Sequence, residues 1–180
     1  MGLEKQCEIN FKDVTFPSEN ILGEQDKGWD ILSRTLEMAM VGKCAQMLGG
    51  MKACTELTNR HVKQRRAYGR TIADFQVIQH YLADMWLKVE TSGNITYEAA
   101  WHIARGLPAT IKASVAKAWV GQAFAFVTER AVQMHGAIGM TREHDVGLYY
   151  RQARPWDLSF GDAYFQKEIL GKELGFLPDG

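Results

Sequence analysis

Lys63-Gln64-Arg65-Arg66-Ala67-Tyr68-Gly69-Arg70 gathers four cations and an aromatic ring into eight residues. A guanidinium can hold a phosphate through two parallel hydrogen bonds while a neighbouring ring stacks on a nucleobase, so this composition suits a nucleotide. The same residues equally suit a solvated last turn of a helix, where positive charge complements the helix dipole. Gln133-Met134-His135-Gly136-Ala137-Ile138-Gly139 poses a similar choice. Glycines just past a helix end commonly form a left-handed cap, and they also let backbone amides approach a ligand closely. Neither stretch has the strand, glycine-rich turn and helix of a dinucleotide fingerprint or a P-loop, so a nucleotide bound here would lie on a helical surface.

Other chemistries leave no local trace. Di-iron sites in helical bundles need carboxylates and paired Glu-x-x-His spacings on facing helices, and no such pair occurs; Glu98 and His102 stand one turn apart without companions. The five histidines His61, His80, His102, His135 and His144 do not cluster along the chain, and Cys-x-x-Cys and His-Glu-x-x-His are absent, so no metal is expected. No Ser-His-Asp or Cys-His arrangement is visible locally, although such groups can assemble from distant positions.

The elements that must position these residues follow from hydrophobic spacing. Ile9, Phe11, Val14 and Phe16 alternate around Lys12-Asp13, which predicts a strand over residues 6–16 with a bulge or tight bend. From Trp29 the period changes: Leu32, Leu36, Met40, Cys44, Met47, Met51, Cys54 and Leu57 form one apolar stripe of a helix running to about Arg66. A second stripe, Phe75, Ile78, Leu82, Met85 and Val89, continues weakly to Ile103, with Ser92-Gly93-Asn94 as its doubtful spot. An alanine-rich third helix spans residues 109–135, a short one residues 145–153, and a last one residues 163–174, with Arg154-Pro155-Trp156 separating the final two. Three long helices with short connections predict an all-α, antiparallel up-and-down bundle with a short N-terminal β fragment. A strand without a sheet cannot satisfy its backbone groups, so the sequence reads as a piece of something larger.

The 180 residues, 46% of them hydrophobic, suffice for one well-buried domain and exclude disordered and collagen-like classes. Twenty-one basic residues balance twenty-one acidic ones, so nothing marks a nucleic-acid or acidic-membrane partner. Cys7, Cys44 and Cys54 are too few and too irregular for a disulfide framework, which points to the cytoplasm. No apolar run is long enough for a membrane span, and the start MGLEKQCEIN lacks the apolar core of a signal peptide.

Four stretches, in order, resemble the C-terminal part of the acyl-CoA dehydrogenase family, flavoenzymes that oxidise acyl-CoA thioesters. They are Phe11-Lys12-Asp13-Val14-Thr15-Phe16-Pro17 with Asn20-Ile21-Leu22-Gly23; Arg65-Arg66-Ala67-Tyr68-Gly69-Arg70-Thr71-Ile72 followed by Phe75-Gln76 and Ala83-Asp84-Met85; residues 131–139; and Leu148-Tyr149-Tyr150-Arg151. The resemblance implies that residues 1–27 are the remnant of a middle β-domain with its connection, and residues 28–180 the C-terminal helical-bundle domain. It further implies that Arg65 pairs with the FAD pyrophosphate, Tyr68 packs near the adenine end and Gln76 helps hold the cofactor, on a flavin borne mainly by a neighbouring subunit of a dimer or tetramer. Gln133, His135, Gly136 and Ala137 would line the same cofactor, Ala137 standing where the family commonly has a second glycine.

The family's reaction removes the α-proton of the thioester with a carboxylate while the β-hydride passes to the flavin, and electron-transfer flavoprotein is the implied acceptor. Here both customary base positions are changed. The glutamate expected nine residues after the arginine that matches Arg151 is Phe160, and the alternative position on the first long helix is Ala39, followed by Met40 in place of a substrate-side arginine. Asp162 is the expected substitute base, acting through a local rearrangement. Glu37, with Met40, is expected on the substrate side, yet a shift of two residues from Ala39 turns its side chain by about 200° and should aim it elsewhere. The readings left open are a dehydrogenase whose base lies at Asp162 or outside this chain, a non-catalytic subunit of a heteromeric dehydrogenase, and a flavin oxidase or monooxygenase on the same scaffold.

Overall fold

The computed structural model describes residues 7–177. Five α-helices carry the fold: α1 (Gly28–Gln64), α2 (Gln76–Ala104), α3 (Thr110–His135), α4 (Asp145–Leu158) and α5 (Ala163–Glu173). Two-residue strands β1 (Arg66–Ala67) and β2 (Arg70–Thr71) pair antiparallel between α1 and α2.

The expected stripes become the core. Cys44, Met47, Met51 and Cys54 of α1 meet Met85 and Val89 of α2 and Ala113, Ala116, Val120, Phe124, Val127 and Ala131 of α3, all buried. Helix α3 is buried on most of its faces because its small residues let neighbours come close: a Cβ on Gly121 would run into the Asp157 carboxylate of α4. Burial pushes the Cys44 and Cys54 thiols up to about 12, so both are inert core side chains. Side-chain pairs fix the directions. Glu98 with Lys112, Thr91 with Trp119 and Tyr81 with Arg130 set α2 antiparallel to α3, whereas Glu37 with Thr110 and His61 with His135 set α1 parallel to α3.

Three sequence expectations change. Residues 7–16 form no strand but exposed, unpaired chain, because no neighbouring strand offers a ladder; the bend anticipated at Lys12-Asp13 is present, with Asp13 at φ 49°. Residue 6 and Pro178 lie outside the described residues. Helix α2 runs unbroken through Ser92-Gly93-Asn94, since Ser92 and Gly93 are buried in the bundle, where small side chains let the helix pack close. Helix α4 continues past Pro155 to Leu158. Tertiary contacts offset the missing N–H there: Trp156 stacks on Phe124 at 5.3 Å, and Lys117 Nζ donates to the Asp157 carbonyl at 2.5 Å.

Candidate functional site

A cleft of about 690 Å³ opens between the N-terminal halves of α1 and α3, the turn before α5, and α5 itself. Glu37 and Met40 share one face of α1, three residues apart, and both line it together with Phe160 and Gly161. Glu37 and Ala39 face different ways, as the two-residue offset implies: the helix presents Glu37 with Met40 to this cleft, and Ala39 is not among its lining residues. The Glu37 carboxylate accepts a hydrogen bond from Thr110 Oγ1 at 2.6 Å. Met40, Ser114 and Gln166 form the buried floor, whereas Trp29, Phe160 and Phe165 stand at the rim, 68%, 41% and 53% exposed.

The turn carrying Phe160 is held from below. Phe160 and Gly161 both take left-handed backbone, φ 61° and 89°, an arrangement that costs a non-glycine residue about 1 kcal/mol or more. Lys117, fully buried on α3, donates to the carbonyls of Asp157 and Gly161 at 2.5 and 2.9 Å, and Gln166 Nε2 donates to that of Phe160 at 2.8 Å. Burial lowers the affinity of Lys117 for its proton, opposed by the Asp157 charge; burial likewise raises the Asp157 carboxyl, opposed by Lys117 and Arg154. Asp162 is placed beside this turn but not among the lining residues. Its Oδ1 accepts from the Phe165 backbone N–H at 3.1 Å as the N-cap of α5, and its Oδ2 lies 3.7 Å from Arg154.

The residues expected to hold a nucleotide gather at the opposite end. Arg65 follows α1 with an exposed side chain that makes no ion pair among the described residues. Tyr68 and Gly69, φ 53° and 81°, form the two-residue turn between β1 and β2, a mirror-type hairpin that leaves Tyr68 94% exposed with its ring edge-on to Phe75. A reciprocal Thr71–Asp74 cap then leads to Gln76, exposed at the start of α2. At the end of α3, Gln133, Gly136 and Ala137 are exposed and His135 is buried.

Three of the histidines that are scattered along the chain meet in space here. His135 stacks on His61 with ring centres 4.2 Å apart and lies 4.6 Å from His144, because the parallel ends of α1 and α3 meet the segment before α4. His135 Nδ1 bonds to the Ala131 carbonyl at 2.7 Å, and its Nε2 is buried without a partner among the described residues. Burial chiefly, then neighbouring charge, lowers the pKa of His61 and His135. No group of three or more metal-ligating side chains is assembled among the described residues.

An exposed unpaired guanidinium, an exposed aromatic ring and an open glycine, against which a Cβ would meet nothing within 4 Å, fit the phosphate and ring chemistry of a dinucleotide. Residues 26–175 match the family model described as the acyl-CoA dehydrogenase C-terminal domain. The chain belongs to the acyl-CoA dehydrogenase family. A short-chain-specific acyl-CoA dehydrogenase of Megasphaera elsdenii is 35% identical over 176 residues, covering 97% of this chain and 46% of that protein. The solved butyryl-CoA dehydrogenase of the same organism superposes with a TM-score of 0.87 at 35% identity, over 91% of this chain and 43% of that one. A chain in a structure described as the electron transferring flavoprotein of Acidaminococcus fermentans gives a TM-score of 0.87 at 31% identity, over 94% of this chain and 44% of that one. The chain thus spans less than half the length of these relatives. It corresponds to the C-terminal domain of acyl-CoA dehydrogenases, an oxidoreductase family, and no helix among the described residues is long and apolar enough to cross a membrane.

The sequence missed Thr110, Ser114, Lys117 and Gln166. Lys117 alone left a signal, a lysine inside an alanine-rich apolar run.

Proposed function

We propose that the full-length protein carrying this chain removes hydrogen from the α and β carbons of an acyl-CoA thioester, with Glu37 as the base. The observation that carries the reading is the Glu37 carboxylate in the same cleft as Met40 and Phe160, the positions that replace the family's substrate-side arginine and its usual base. Glu37 takes the α-proton, the β-hydride leaves as the carbon–carbon double bond forms, and the Thr110 hydroxyl holds the carboxylate in place. FAD, when bound, supplies the hydride acceptor. Arg65 would pair with its pyrophosphate, Tyr68 lie near its adenine end, and Gln76, Gln133, His135, Gly136 and Ala137 line it.

Asp162 is the less favoured base because capping α5 and facing Arg154 occupy its oxygens. Electron-transfer flavoprotein is the proposed partner that takes the electrons onward, supported by the likeness to the Acidaminococcus structure. We further place residues 1–27 with a β-domain, the protein in the cytoplasm, and the assembly as a homo-oligomer. The phenyl ring of Phe160 favours one other reading, a non-catalytic subunit. Glu37→Gln and Asp162→Asn in the flavin-loaded full-length protein separate these. The expected result is a loss of about a hundredfold or more in the rate of flavin reduction for E37Q and little change for D162N. Equal rates for E37Q and wild type would remove Glu37 from the reaction.

A further inference from the structure

The floor of the cleft holds two buried polar atoms that the chain itself does not satisfy. Ser114 Oγ and Gln166 Oε1 belong to fully buried side chains lining the cleft, and neither has a hydrogen-bond partner among the described residues. The identity of the free Gln166 atom is fixed by its other end: the amide nitrogen must face the Phe160 carbonyl, which only accepts, so the acceptor oxygen is left over. Ser114 differs from the buried threonines. The buried threonines Thr55, Thr58, Thr96 and Thr128 each return their hydroxyl to the carbonyl four residues back, whereas the buried serines Ser92 and Ser114 do not, and of these two only Ser114 lines the cleft. Leaving such groups unpaired opposes burial, so a ligand that reaches the floor gains by supplying a donor. Charge narrows the choice. Glu37 and Glu173 line the cleft and, among the described residues, no Lys, Arg or His does, so an anionic substituent is repelled.

We propose that the cleft selects an acyl group carrying a hydrogen-bond donor along its chain, a hydroxyl or N–H group, received by Gln166 Oε1 with Ser114 Oγ beside it. The inference rests on the dehydrogenase reading above, and its test separates the two. Flavin-loaded full-length protein is titrated anaerobically with acyl-CoA thioesters of one chain length: unsubstituted, hydroxylated at successive carbons from γ outward, and ending in a carboxylate. Affinity is read by calorimetry and reduction by flavin absorbance. At least one hydroxylated isomer should bind about tenfold or more tighter than the unsubstituted chain, with the carboxylated chain weakest. Ser114→Ala, which breaks no internal hydrogen bond, and Gln166→Leu should each cut that preference to about twofold or less. An unsubstituted thioester that binds as well as every hydroxylated one, while bleaching the flavin, overturns this proposal and leaves the dehydrogenase reading intact. Preferential binding of a hydroxylated chain without bleaching upholds the selectivity and counts against the base. Binding of no thioester overturns both.

Discussion

Glu37 and Lys117 show what a single side chain contributes in this protein. The sequence makes Glu37 one of several acids near an altered active-site position, and only its partnership with Thr110 and its place beside Met40 and Phe160 distinguish it. The cation-rich end of α1 was legible from local composition, because it is a local property. Ser114 and Lys117 were not legible, since their meaning depends on a turn more than 40 residues away being folded against them, and Gln166 was not because its bond to the Phe160 carbonyl, six residues back, needs that turn already formed. Replacing Lys117 by Met should destabilise the protein by about 3 kcal/mol, because one buried and one part-buried carbonyl lose their donor and Asp157 loses a buried counter-charge. Urea denaturation of both proteins measures it, and a change below about 0.5 kcal/mol would show that the turn is held otherwise.

At the scale of elements, the long apolar stripes of α1 and α2 made both helices readable to within about two residues, the usual uncertainty at a helix end. Helix α4 was read short because proline chemistry is local, while the stacking of Trp156 on Phe124 that sustains the last turn is not. The histidine trio has the same origin: three separate elements bring together residues distant in sequence. Its titration gives a pH dependence of known sign. His61 and His135 have lowered pKa values when folded, whereas in the unfolded chain they protonate near their ordinary value. The unfolded state therefore binds more protons, and stability should fall as pH drops below about 6.5, until the folded histidines also protonate. His144→Asn keeps an acceptor for the Val146 N–H while removing one charge from the trio, so its stability should fall less steeply over that interval. Parallel denaturation curves between about pH 7 and pH 5 test this; equal slopes for variant and wild type would exclude His144 from the coupling.

The whole molecule separates the two proposed sites. The cleft at Glu37 and the cationic end at Arg65 stand about 40 Å apart along α1, at the standard helical rise. The residues proposed for a pyrophosphate and those proposed for a thioester therefore do not share one contiguous pocket in this chain, and the flavin is proposed to be shared between subunits. The isolated chain should accordingly bind FAD weakly or not at all, while Arg65→Ala in the full-length protein should lower flavin content after purification. Tight one-to-one binding by residues 1–180 alone, measured by fluorescence quenching, would contradict the sharing. Acyl-CoA oxidation by the full-length, flavin-loaded protein is read by anaerobic titration with a panel of acyl-CoA thioesters, followed at the oxidised-flavin absorbance. At least one thioester should bleach the flavin; oxidised flavin that persists through the whole panel would rule out the proposed dehydrogenation.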